Sequence, residues 1–226
     1  MYTVPANQTT FSFGGVSVTD IVENILIPDI RRPARTAVQK RKLTIPGRDG
    51  SWDFGPGEKR DFNIEVDFTI TSPSSTQTRQ KLRDLDAFLD GKKELFFTDD
   101  EEQGYQAAVY AQILLNKRVF SHTQSGTIVF ECDADILYKL RILAYDTVST
   151  DALPGVDIEI HTGYPIIEIG DPVREGSSDS EGYFYTFLKP GSYTVIGSLS
   201  GYVLKEKEIV MTETAKLNAW IGLTPE

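Results

Sequence analysis

Phe62-Asn63-Ile64-Glu65-Val66-Asp67-Phe68-Thr69-Ile70 sets five apolar residues in strict alternation with four polar ones. A period of two is that of a pleated strand with one face buried, so the stretch predicts a half-buried β-strand and a sheet around it. Thr71-Ser72-Pro73-Ser74-Ser75 ends the strand and supplies helix N-cap candidates. Thr76 to Asp90 then predicts a helix with Leu82, Leu85, Phe88 and Leu89 on one stripe and Gly91 at the C′ position.

Downstream, Glu94 to Thr98 predicts a strand and Asp99 to Gly104 an acidic turn. Four adjacent acids suggest calcium, but the alternating D-x-D-x-D-G spacing is missing and no metal site is expected. Tyr105 to Leu115 and Gly126 to Cys132 read as two further strands. Upstream, residues 9–30 show alternation at Phe11/Phe13 and Val16/Val18 around Gly14-Gly15, a hairpin signal, followed by an extended or turning stretch from Asn24 to Pro28.

Lys42 to Gly57 reads K-L-T-I-P-G-R-D-G-S-W-D-F-G-P-G, with four Gly and two Pro. It predicts a strand running into a wide loop, because Pro46 removes a ladder donor and the glycines accept φ > 0. Trp52 and Phe54 each bring a large surface into that loop. Either the loop folds back on its own domain or a second subunit covers it. Arg31 to Arg60 holds nine Lys or Arg against three acids, interleaved with apolar residues, and reads as a solvated or interfacial strand face.

Residues 1–137 therefore read as one β-rich domain with a single helix, and 138–226 as a second domain without helical periodicity. In the second, strands are expected at 140–145, 156–161, 182–188, 192–198, 206–211 and 216–223, punctuated by Leu153-Pro154-Gly155, Ser178 to Gly182 and Lys189-Pro190-Gly191. Asp179 and Gly182 bracket a turn, Phe184 and Phe187 or Leu188 lie near the core, and Pro190-Gly191 reverses the chain so that Tyr193 and Val195 pair back. The expected fold class is mainly β: a β-sandwich or barrel-like domain with one α-helix, then a small Ig-like β-sandwich.

The net charge of −10 opposes a general nucleic-acid binder, and no run approaches a membrane span. Met1-Tyr2-Thr3-Val4-Pro5 lacks the basic and apolar regions of a signal peptide. Cys132, the single cysteine, lies among apolar residues as a core side chain. His122 and His161 have no clustered partners, and no nucleophile elbow, phosphate loop or dinucleotide motif occurs. No catalytic residue, cofactor or metal is expected. Tyr164, Tyr183, Tyr185, Tyr202 and Trp220 could form a sugar-stacking platform, with Tyr164, Tyr202 and Trp220 as the candidates for ligand stacking, set against core or strand-face roles.

The ordered set from the strand into G-R-D-G-S-W-D-F-G, through the alternating strand, the helix ending L-R-D-L-D-A-F-L-D-G, E-L-F-F-T-D-D and G-Y-Q-A-A-V-Y to G-T-I-V-F-E-C-D, resembles the N-terminal domain of siphophage distal tail proteins. The resemblance implies a homo-hexameric ring at the tail tip or baseplate of a virion made in a bacterial cytoplasm, with a prophage as one source. Such a ring joins the tail tube protein to the hub or tail-associated fibre protein and passes DNA in transit through its lumen. It also implies neighbouring subunits that could cover the aromatic loop, which makes Arg48, Asp49, Trp52 and Phe54 the subunit-interface candidates.

Asp179 to Val195 with Gly201-Tyr202, preceded by Leu153-Pro154-Gly155-Val156-Asp157-Ile158, resembles the carboxypeptidase regulatory-like, transthyretin-like sandwich. That implies a non-enzymatic appendage, and it departs from distal tail proteins whose second domain is galectin-like. The rival reading is an adhesion module of the tail tip whose second domain binds host cell-wall carbohydrate.

Overall fold

The structure is a computed structural model; it describes residues 9–33, 38–39, 42–44, 51–53, 58–59, 61–109, 114–115, 122–164, 171–212 and 217–226. The chain divides into two compact units, Met1–Asp100 with Tyr105–Asp135, and Glu101–Gly104 with Ile136–Glu226. The first contains β1 (Phe11–Phe13), β2 (Val16–Ser17), α1 (Val18–Ile21), β3 (Ile25–Arg31), β4 (Val38–Gln39), β5 (Lys42–Thr44), β6 (Ser51–Asp53), β7 (Glu58–Lys59), β8 (Phe62–Thr71), α2 (Ser75–Phe88), β9 (Lys93–Phe97), most of β10 (Asp100–Val109) and β11 (Leu114–Leu115). The long strand β12 (Thr123–Asp146) contributes to both units, and the second continues with β13 (Asp157–Thr162), β14 (Arg174–Ser177), β15 (Tyr183–Leu188), β16 (Gly191–Ser198), β17 (Tyr202–Val203), β18 (Lys205–Met211) and β19 (Leu217–Pro225).

The alternating stretch is the centre of the first unit. Ile64, Val66, Phe68 and Ile70 of β8 are buried while Glu65 and Asn63 face solvent. β8 pairs antiparallel with β3 on one side and with residues 123–132 of β12 on the other. Beyond β12 the same sheet continues through β10, β9 and β1 to β2. Rings tie its parts together: Phe130 of β12 stacks edge-on against Phe11 at 5.5 Å and lies 5.7 Å from Phe13. Each such fully buried side chain stabilises the unit by roughly 1.5–3 kcal/mol relative to exposure.

The hairpin at Gly14-Gly15 forms as its residues require, with φ of +62° and +79° and Phe13 opposite Val16. Helix α2 starts where Ser74 accepts from the Gln77 N–H at 3.3 Å. It buries Leu85 and Leu89 and sets Phe88 edge-on to Phe13 at 6.0 Å. Gly91 follows at φ +80°.

Several expectations need correction. Val18 does not continue a strand: Ser17 caps the short helix α1, so the unit has two helices rather than one. The acidic turn is confined to Thr98-Asp99, because Asp100 to Gly104 enter β10, where strand pairing overrides the turn tendency of acidic residues. The strands expected at 126–132 and 140–145 are parts of the single strand β12. β14 and β17 were not anticipated; both are short and lack alternation. Among the described residues no sheet closes into a barrel.

The second unit is a sandwich. One sheet runs β15–β12–β19–β17, with β12 antiparallel to β15 and parallel to β19, and the other runs β14–β13–β16–β18. Leu140, Ile142, Ile221 and Leu223 from the first sheet pack with Ile158, Ile160, Val195 and Ile209 from the second. The sheets approach closely at Gly197, where an added Cβ would lie 2.9 Å from Ile221 Cδ1. Pro190-Gly191 does not close a hairpin: β15 belongs to one sheet, while β16 pairs with β13 and β18 in the other. Lacking a donor at Pro190, the chain leaves one ladder and crosses to the facing layer.

Candidate functional site

Two surfaces answer to the residues singled out by sequence. The first is the excursion between β3 and β8. Its pairs Ile30↔Val66, Arg31↔Glu65, Val38↔Lys59, Gln39↔Glu58 and Lys42↔Asp53 to Thr44↔Ser51 step inward along the chain, each antiparallel, and end in the β5–β6 hairpin. Trp52 therefore sits in strand β6 opposite Leu43 rather than in a loop. Arg48, Asp49 and Phe54 lie outside the described residues.

Ion pairs mark the base of this excursion. Arg31 donates from Nε to Glu65 at 2.9 Å and from both terminal nitrogens to Asp67 at 2.9 and 3.1 Å. Arg32 forks onto Asp99 at 2.6 and 3.1 Å with its Cζ 4.2 Å from the Phe97 ring centroid. The hydrogen bond to Asp67, with charge attraction from Asp67 and Glu65, holds the Arg31 guanidinium above its ordinary pKa. Two cations of the basic stretch thus answer carboxylates of their own unit, in the bidentate geometry that a planar guanidinium favours.

The second surface is the outward face of the β15–β12–β19 sheet. Leu140, Ile142 and Ala144 point into the sandwich core, so Lys139, Arg141, Leu143 and Tyr145 point out. Register places Tyr185 and Asn218 on either side of Arg141, and Tyr183 and Trp220 on either side of Leu143. The Arg141 guanidinium lies 3.8 Å from the Tyr183 ring centroid and 5.9 Å from that of Tyr185, and Lys139 Nζ is 5.5 Å from Tyr185. From β18, Lys207 donates to the Trp220 carbonyl at 2.7 Å. Tyr185 and Trp220 stay 46% and 54% exposed.

This face redistributes the stacking candidates. Tyr202 faces the opposite way: it packs on the sandwich core and donates its hydroxyl to Asp146 Oδ2 at 2.9 Å. Asp146 Oδ1 also accepts from the Val148 and Ser149 amides at 2.6 and 3.1 Å. Those two amides, aided by the Tyr202 hydroxyl, hold the Asp146 carboxyl below its ordinary value, and the same bond raises the Tyr202 phenol. Tyr164 is exposed in the bend that follows β13, a strand of the other sheet. Of the three, only Trp220 lies on the aromatic and cationic face. Lys139 and Arg141 were missed, although their alternation with Leu140 and Ile142 is visible once the register is known.

Elsewhere the chemistry is quiet. Among the described residues no group of His, Cys, Asp and Glu has metal-binding geometry. Cys132 is fully buried, and burial pushes its thiol up to about 12. His161 is buried beside Glu159 at 3.3 Å.

The family model for the phage tail protein RIFT-related domain matches residues 19–132. This chain belongs to that family. Its matched span holds β3, the pairs between β3 and β8, β8, α2 and the part of β12 that pairs with β8. The Dit (gp 19.1) protein of SPP1, described as a paradigm of the hub adsorption apparatus in phages infecting Gram-positive hosts, shares the fold at a TM-score of 0.50 and 15% identity, over 84% of this chain and 79% of its own.

Shaft pilin SpaA of Lactobacillus rhamnosus GG (TM-score 0.32, 13% identity, 40% of this chain and 46% of that one) is too slight a match to bear on this chain. So is 5-hydroxyisourate hydrolase of Klebsiella pneumoniae (TM-score 0.31, 14% identity, 39% of this chain and 90% of that one). No curated protein matches in sequence. As a member of the phage tail RIFT-related family, the chain is a structural component of a phage tail.

Proposed function

We propose that the first unit builds a homo-hexameric ring at the tail tip, joining the tail tube protein to the hub or fibre protein, with DNA passing through its lumen. The match of the tail family over residues 19–132 carries this reading. The fold shared with a protein described as part of a hub adsorption apparatus supports it. The hairpin that holds Trp52, with Arg48, Asp49 and Phe54, is the surface proposed to meet the neighbouring subunit. A pair of antiparallel strands has an edge on either side, which suits it to pairing across a subunit boundary.

The second unit is proposed as a carboxypeptidase regulatory-like, transthyretin-like appendage. Negative-stain imaging of the purified chain mixed with its cognate tail tube protein tests the ring reading. Annular particles capping tube ends support it, and bare tube ends beside dispersed small particles contradict it.

A further inference from the structure

We propose that the outward face of β15, β12 and β19 binds an anionic carbohydrate chain, stacking sugar rings on Tyr185 and Trp220 and holding the negative groups with Lys139 and Arg141. The inference goes beyond the ring reading and does not rest on it.

Three observations carry it. The register fixes the composition of the face: aromatic side chains on the two outer strands flank cations on the middle one. Strand spacing places the outer strands roughly 10 Å apart on a rigid sheet, so the rings are held in place before a ligand arrives.

Charge is the second. The outward positions Lys139, Arg141, Leu143, Tyr145, Tyr183, Tyr185, Phe187, Asn218 and Trp220 include two cations and no carboxylate, in a chain whose net charge is −10.

The third is the state of Arg141. Arg31 and Arg32 fork onto carboxylates of their own unit, whereas the Arg141 guanidinium lies against the Tyr183 and Tyr185 rings, and its Nε has no hydrogen-bond partner among the described residues. A ring-stacked guanidinium without a carboxylate keeps its charge and its remaining donors for an incoming anion.

Sugar rings present an apolar face edged by polar groups, which suits half-exposed Tyr and Trp side chains. Nucleic acid would also stack on these rings. Two face cations on an acidic protein, however, are far from the strongly positive surface that phosphate-backbone binding requires.

The test is binding of the full chain to an array of bacterial surface glycans that includes phosphate- and uronate-bearing chains beside neutral ones, with polyglutamate and oligo-dT as competitors. Signals should be confined to charged glycans, fall on raising salt from 50 to 500 mM, and resist both competitors. Tyr185→Ala and Trp220→Ala should each weaken binding roughly fivefold or more, and the charge reversal Lys139→Glu should abolish it. Unchanged melting temperatures would show that the variants remain folded. The proposal is overturned if no charged glycan binds, if neutral chains bind as well, if polyglutamate or oligo-dT displaces the glycan, or if the folded variants bind like the parent.

Discussion

Replacing Gly182 by Ala should damage the second unit far more than the same change at Gly201, although both glycines sit at nearly the same positive φ, +79° and +82°. The left-handed backbone alone costs an alanine about 1–2 kcal/mol. At Gly201 an added Cβ meets nothing within 4 Å, so that cost stands by itself. At Gly182 the Cβ would lie 2.9 Å from the Ala144 carbonyl oxygen, 2.9 Å from Ala152 Cβ and 3.1 Å from the Leu153 nitrogen.

Two of those neighbours are backbone and bonded to each other: Leu153 N–H donates to Ala144 O at 2.9 Å. They have no rotamer by which to retreat. The turn is tied on its other side as well, since Asp179 Oδ1 accepts from the Glu181 and Tyr183 amides at 2.9 and 2.8 Å and Gly182 O accepts from Ala144 N at 2.9 Å. Overpacking of this kind adds about 1–3 kcal/mol, so Gly182→Ala should cost about 2–5 kcal/mol in total.

Urea unfolding in a Trp52→Phe background would measure this, because Trp220 then becomes the single tryptophan reporter and lies in the second unit. The midpoint should fall well below that of Gly201→Ala. Equal midpoints for the two variants would refute the packing argument and leave only backbone strain.

Three further outcomes are expected. The Asp146 carboxyl lies below its ordinary 3.8 in the folded chain, so its contribution to stability is present above that value and is lost as the pH falls through the folded value; melting curves between pH 2 and 6 should show this loss in the parent and a smaller one in Asp146→Asn. Tyr202 is displaced upward from 10.0, so its contribution is complete below that value and lost as pH rises through the folded one, which Tyr202→Phe should remove from alkaline melting curves. Cys132 should resist a thiol reagent at pH 8 in the native chain and react only after denaturation, as burial and a thiol at about 12 require; rapid native labelling would contradict its place in the core.

Local signals were legible where a side-chain period or a turn residue decided them. The alternation at Phe62 to Ile70, the cap at Ser74 and the glycines at 14, 15, 91 and 182 all act within a few residues, and each appears where its chemistry puts it. What escaped was set by partners distant in sequence. Nothing local shows that β16 pairs with β13 rather than β15, or that acidic Asp100 to Gly104 are drawn into a strand.

The candidate site divides along the same line. Tyr183, Tyr185 and Trp220 were visible as aromatics in strands, but their grouping with Lys139 and Arg141 depends on the antiparallel register of β12 with β15 and its parallel register with β19. Tyr202 resembles a ligand candidate in sequence because its bond to Asp146, fifty-six positions away, leaves no trace in the neighbouring residues.

Light scattering on the purified chain across the tens-of-micromolar range, with Trp52→Ala measured beside it, tests the central claim most directly. The account predicts a species of six times the 25.2 kDa chain mass, with Trp52→Ala shifted toward smaller species while its melting temperature changes little. A strict monomer at every concentration that also fails to assemble with tube or hub protein would contradict the ring. Full assembly by a Trp52→Ala chain of lowered stability would instead make this tryptophan ordinary core.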